Sequence, residues 1–194
     1  KYLKKLVLKK KIGKITYISF QRQNFGPIRN DVSSFLDLAT HDLSILKYLF
    51  NKKIVPKKII KHDILRKNSG DIVFANFASG STSIDINVSW LNPEKVRKIT
   101  IIADKKMILY DEMNLEKPIK IYNNYASYPK ISKYSKSYFS KKAFVYKGKS
   151  RFIKFKDKMP LEKEILSFIK NDVNLTDLTF AEDIIKITKK LKIV

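Results

Sequence analysis

The 194-residue chain contains no cysteine, which excludes disulfide bridges, thiolate metal sites and cysteine nucleophiles together. Glycine is scarce as well: there are five, and nowhere do they fall as Gly-x-Gly-x-x-Gly, the turn that lets a backbone approach a dinucleotide pyrophosphate. No stretch reaches the roughly 18 uninterrupted apolar residues of a membrane-spanning helix. The opening KYLKKLVLKKKIGKI is basic, but it has neither a long apolar segment nor a small-residue cleavage site, so it does not read as a secretory signal. A cytoplasmic protein without a membrane partner is the expectation. The chain also opens without methionine, in what reads as the tail of a helix, and this fits a piece of a longer protein.

Arginine is rare too. The formal charge is +23, yet only five of the 41 basic residues are arginine. A charge of that size points at first to a polyanionic partner. Specific reading of phosphates or bases, however, uses the planar fork of arginine, whereas lysine on tolerant positions makes a solvated surface. Nucleic acid is therefore not the expected partner. The alternative of a basic nucleic-acid-binding module rests on residues 122–150, where tyrosine, serine and lysine interleave, since basic groups hold phosphates while rings stack on bases. A long solvated loop or irregular hairpin accounts for the same texture, and residues 122–155 are read as a variable basic region.

The length suits a single domain over residues 1–194. Residues 2–11 end a helix that Gly13 closes, and KITYISFQRQN alternates as a strand does. FGPIRNDVSS is a loop. From Ser33 or Ser34 the period becomes helical: Ala39, Leu43, Leu46 and Phe50 form a buried stripe, and Asp37, His41, Ser44 and Tyr48 share a second one. Five short segments rich in β-branched and aromatic residues follow between 57 and 111, separated by the turn signals NSG, SG and NPE. Ile84, Ile86 and Val88 alternate with Asp85, Asn87 and Ser89, so that strand has one packed and one polar face. Such close succession leaves no room for parallel crossovers. The fold class is α+β, an open and mostly antiparallel β-sheet with flanking helices. Pro160 opens a further helix with Leu161, Ile165, Phe168 and Ile169 on one face, and Thr179 with Glu182 has the spacing of a capping box for the last helix.

The chemically pointed stretch is FLDLATHDLSILKYLF, residues 35–50. An imidazole moves a proton near neutral pH, and a carboxylate one turn away can orient it and stabilise its charged form. A purely structural pair has the same spacing, and Asp42 could serve the first turn of the helix electrostatically. A metal site is not expected, because His62 and Asp63 lack companion ligands at a recognisable spacing. In the loop before the helix, Asn24, Arg29 and Asn30 are candidate substrate contacts, Arg29 through bidentate pairing with a carboxylate or phosphate. Local pairing of Arg29 is the competing reading. Trp90 could stack on a sugar face, but packing suits a lone tryptophan at a strand end better. Arg97 and Asp111 fall on neighbouring strands and suggest a cross-strand pair.

The order Asp-x-x-x-His-Asp at 37–42, SWLNPEKVR at 89–97 and YD at 110–111 resembles the C-terminal domain of the glucose-fructose oxidoreductase/inositol dehydrogenase family, written Gfo/Idh/MocA. The likeness covers the chain apart from roughly residues 122–155 and is strongest to the sugar and nucleotide-sugar dehydrogenase branch. It implies a dihydrodipicolinate-reductase-like open sheet, with His41 as acid/base for a sugar hydroxyl and Asp37 orienting it. It also implies a nicotinamide cofactor, NAD or NADP, bound mainly by an N-terminal Rossmann domain that this chain lacks. The substrate-binding half would then be inactive alone, and homo-oligomers would form through the exposed sheet face. The family's Glu-Lys-Pro motif precedes the Asp/His pair, whereas Glu116, Lys117 and Pro118 follow it, so Lys117 reads as a surface residue near a turn. A noncatalytic assembly domain of the same fold is the remaining alternative.

Overall fold

The computed structural model describes residues 2–8, 11–50, 53–128, 143–154, 165–166, 169 and 178–191. Eight strands make one sheet: β1 (Ile15–Phe25), β2 (Val55–His62), β3 (Ile72–Ser79), β4 (Thr82–Ser89), β5 (Leu91–Ala103), β6 (Met107–Asp111), β7 (Ile119–Ser127) and β8 (Phe144–Ile153). Their order is β2-β3-β4-β1-β5-β6-β7-β8. The helices are α1 (Tyr2–Leu8), α2 (Thr40–Phe50) and α3 (Leu178–Lys189), with a π-helical turn, Phe35–Ala39, leading into α2. The open, mainly antiparallel sheet expected from the strand spacing is present. The exception is β1 against β4, which is parallel, Tyr17 opposite Ser83 through Gln23 opposite Ser89. The chain makes that crossover by way of α2 and the β2–β3 hairpin, a route long enough for a parallel connection.

Side-chain alternation puts the core on one face. Ile18 and Phe20 of β1, Ile84, Ile86 and Val88 of β4, and Ile99 and Ile101 of β5 point toward α2 and are all but fully buried. Phe35, Leu38, Leu43 and Leu46 close over them. Each such side chain contributes roughly 1.5–3 kcal/mol by leaving water. α3 rests on α2 through an ion pair of Lys47 with Asp183, and the Lys47 ammonium lies 4.8 Å from the centre of the Phe180 ring. The opposite sheet face carries polar residues: Asp85 accepts hydrogen bonds from Tyr17 Oη at 2.7 Å and Asn76 Nδ2 at 2.6 Å. Ile60, Phe74 and Phe152 are exposed on that face.

Local departures from the sequence reading have physical causes. NPE at 92–94 is not a turn but part of β5; between the pairs Phe25–Leu91 and Gln23–Val96 the extra residues bulge, and Pro93, which has no N–H to give, sits in that bulge. Leu49, rather than Phe50, completes the buried stripe of α2. Within the basic region, Tyr122–Ser127 and Phe144–Ile153 lie on paired strands, so the hairpin form is the one adopted there. α3 begins at Leu178, one residue ahead of the expected cap Thr179, and the helix expected after Pro160 lies almost wholly outside the described residues. Gly13 has φ +90°, and a Cβ there would come 1.7 Å from Asp104 Oδ1, the atom that accepts the Lys14 N–H, so the turn demands glycine.

Phe20 sits on the central strand with no exposed surface. Phe20→Ala should cost about 3–5 kcal/mol, read as a fall in the urea midpoint at unchanged slope. A loss under 1 kcal/mol would mean that the core is not centred on β1.

Candidate active site

The end of β1, the loop that follows it and the start of α2 bring the candidate residues to one end of the central strands. Asp37 lies in the π-helical turn and His41 in the first turn of α2. π-Helical turns widen a helix locally and recur at functional sites. Asp37 keeps 24% of its side chain exposed. Its Oδ2 accepts a hydrogen bond from Trp90 Nε1 at 2.9 Å, and its Oδ1 is 3.7 Å from an Arg29 guanidinium nitrogen. His41 is exposed, and among the described residues no hydrogen bond or ion pair reaches it. The imidazole is therefore open to a ligand, with the Asp37 carboxylate a helical turn away.

The candidate contact residues divide. Arg29 forms a fork with Asp31, Nε to Oδ1 at 3.0 Å and Nη2 to Oδ2 at 2.5 Å, which is the local pairing weighed for it above. That fork and the approach of Asp37 raise the Arg29 pKa, chiefly through the hydrogen bond to Asp31. Asn24 is used within the protein: its Nδ2 donates to the Gly26 carbonyl and its Oδ1 accepts from Arg97 Nη2 at 2.7 Å. Asn30 is exposed on the loop. Trp90 is fully buried, so its ring packs and cannot stack on a sugar. The proposed Arg97–Asp111 pair does not form. Register sets Asp111 opposite Lys98, whose ammonium is 3.7 Å away, while Arg97 faces the other side of the sheet and donates to the Gln23 carbonyl at 2.9 Å. Lys117 lies in the β6–β7 connection, where its N–H donates to Asn114 Oδ1, as expected of a turn residue.

Sequence reading missed a buried polar layer beneath these groups. Asp42 is 2% exposed and accepts from Arg22 Nε at 2.9 Å through Oδ1, while its Oδ2 has no partner. Burial pushes the Asp42 carboxyl up to about 6, against the opposing pull of the Arg22 and Arg97 guanidinium groups. Arg22 also lies 3.7 Å from Glu112, whose own N–H donates to the Arg97 carbonyl. Arg22 and Arg97 are opposite one another across β1 and β5. Burial, and then the neighbouring Arg22 charge, lowers the Arg97 pKa. The signal was present as charge at inward positions: Arg22 continues the series Ile18, Phe20, and Asp42 shares a helix face with Leu38, Leu46 and Leu49. Trp90 adds backbone ties, its N–H donating to the Asp71 carbonyl at 3.0 Å and its carbonyl accepting from Gly26 N at 2.9 Å.

No protein-family model matches the chain, and no curated protein matches it by sequence. Solved structures do match in fold. UDP-N-acetylglucosamine 3-dehydrogenase GnnA from Acidithiobacillus ferrooxidans superposes with a TM-score of 0.70 at 14% identity, covering 97% of this chain and 56% of that one. A dehydrogenase, MviM, from Clostridium difficile gives a TM-score of 0.63 at 13% identity, with 98% of this chain and 56% of that one covered. Levoglucosan dehydrogenase, solved with NADH and L-sorbose, gives 0.63 at 10% identity over 98% of this chain and 60% of the other. The fold is that of the C-terminal domain of Gfo/Idh/MocA-type oxidoreductases. This chain spans a little over half the length of those proteins.

The raised Asp42 value sets a pH dependence. Its folded-state pKa lies above the ordinary carboxylate value of 3.8, so the group favours folding most fully below about pH 4 and loses that contribution as pH rises through about 6. The loss is at most about 3 kcal/mol. Denaturant titrations of the wild type and Asp42→Asn at pH 4.5 and 7 should show a smaller fall for the variant. Parallel profiles would mean that Asp42 keeps an ordinary pKa.

Proposed function

We propose that this chain is the substrate-binding half of an NAD(P)-dependent oxidoreductase acting on a hydroxyl or keto group of a sugar or nucleotide sugar. The observation that carries the reading is the open His41 imidazole one turn from Asp37, itself held by the Trp90 indole, at the end of the central strands of a dehydrogenase fold. In the oxidation direction an imidazole nitrogen of His41 takes the proton of the reacting hydroxyl, and in reduction it returns that proton to the new alkoxide. The Asp37 carboxylate, one turn away, is the group that orients the imidazole in this reading. Structures of the same fold from enzymes named for UDP-N-acetylglucosamine and levoglucosan support a sugar-type substrate.

The hydride acceptor in such a reaction is a nicotinamide dinucleotide, and the residues here do not fit one. The loop from β1 to the π-helical turn holds a single glycine, Gly26, and no glycine-rich strand-turn-helix occurs among the described residues. Dinucleotide binding therefore belongs to a Rossmann domain outside these residues, and the chain alone is inactive in hydride transfer. The exposed Ile60, Phe74 and Phe152 on the uncovered sheet face suit association with a second copy.

In the two-domain enzyme, His41→Ala should lower turnover by about a hundredfold or more, with cofactor affinity nearly unchanged. Steady-state kinetics alongside cofactor titration measure both. Turnover within a few-fold of wild type would remove His41 from the mechanism.

A further inference from the structure

The Arg22–Asp42 pair is a poor way to gain stability. The carboxylate is 2% exposed, one of its oxygens has no partner, and the guanidinium side chain is only 12% exposed, so both charges lose most of their hydration for one direct hydrogen bond. Pairs of this kind are often matched or exceeded in stability by apolar residues of similar volume, and their best-attested use is to define register. The location gives that use a target. Asp42 directly follows His41, and Arg22 lies on the central strand between β4 and β5. Glu112 brings a second carboxylate within 3.7 Å of the Arg22 guanidinium. A helix packed on a sheet through leucines alone can slide or rotate by a fraction of a turn at little cost, because apolar contact is non-directional.

We propose that Asp42 and Arg22 are positioning residues for His41: their buried hydrogen bond fixes the first turn of α2 on β1 and so sets where the imidazole stands. Trp90 performs the same service one turn earlier, through Asp37. The inference rests on the oxidoreductase reading only for what His41 does there; the placement itself belongs to this chain without substrate.

That allows a test with no turnover in it. The chain has two histidines, His41 and His62, and His62 lies at the end of the edge strand β2, so its ring is an internal control. The ring resonances are recorded at pH 8.5, above the ordinary histidine range near 6.5, together with amide hydrogen exchange, for Arg22→Met/Asp42→Leu and for Asp42→Asn. The double variant should fold with a denaturation midpoint at or above that of the wild type. In it the His41 resonance should move and the amides of Thr40–Leu43 should exchange at least tenfold faster, while His62 and the β3–β4 amides stay as they were. Asp42→Asn loses the charge but keeps an acceptor for Arg22 Nε–H, so it should return His41 close to the wild-type position and separate geometry from charge. A folded double variant with His41 and its helical turn unmoved overturns the proposal, as does exchange that accelerates equally across the sheet. If the double variant does not fold, Arg22→Lys replaces it, keeping the charge without the Nε donor, and the same two readings apply. Failure of both to fold would make the pair a determinant of the fold, not of position, and would equally overturn the inference. Failure of the catalytic reading would show instead as unimpaired turnover in His41→Ala, and would leave the outcome of the Arg22 and Asp42 comparisons as it stands.

Discussion

A carboxylate withdrawn from water must be met by donors, and at the start of α2 two carboxylates, Asp37 and Asp42, are met from different strands. The Trp90 indole N–H arrives from the end of β4 and the Arg22 guanidinium from β1, two strands that lie side by side in parallel. The leucines above the sheet supply most of the driving force, but they do not say where along the sheet the helix sits. Directional bonds do, because a hydrogen bond weakens steeply away from its preferred length and angle. The loop between β1 and the helix is tied into the same scheme. Gly26 donates to the Trp90 carbonyl, and Arg97 reaches it through Asn24. The exposed imidazole thus stands on a part of the molecule that several chain segments hold in common.

The distribution of basic residues follows the same division. Arg22 and Arg97 lie in the buried layer, Arg29 lies beside Asp37, and Arg66 donates to the Arg29 carbonyl at 2.9 Å. Four of the five arginines are thereby gathered around one end of the central strands; the fifth, Arg151, lies on β8, and the remaining cations are lysines. A planar fork can satisfy several acceptors at fixed angles, which an ammonium cannot. Lysines elsewhere carry the net charge without that geometric duty. The arginine positions, more than the total charge, mark the organised polar part of the protein.

What could be read from the sequence is what depends on neighbours a few residues apart. The alternation of Ile84, Ile86 and Val88 gave the buried face of β4, and the helical spacing from Phe35 onward placed Asp37 and His41 on one element. Relations that depend on distant segments were not legible. Arg22 and Asp42 are 20 residues apart and Trp90 and Asp37 53 apart, and no local period links either pair. NPE misled because proline and asparagine signal a turn by their intrinsic preferences, whereas a bulge against β1 absorbs them equally well. Arg97 and Asp111 were correctly placed on adjacent strands, but a one-residue difference in register puts their side chains on opposite faces.

The position of β1 shapes how the chain can fold. Its partners are β4 and β5, so that Tyr17 meets Ser83 and Phe20 meets Ile99, while the strands next to it in the chain are elsewhere in the sheet. During synthesis β1 is therefore complete long before either neighbour exists, and its apolar side waits for about 80 further residues to emerge. Contacts that span such distances slow folding, and an unpaired apolar strand invites association with other chains meanwhile. The strongly positive chain opposes that association by self-repulsion until the sheet closes around β1.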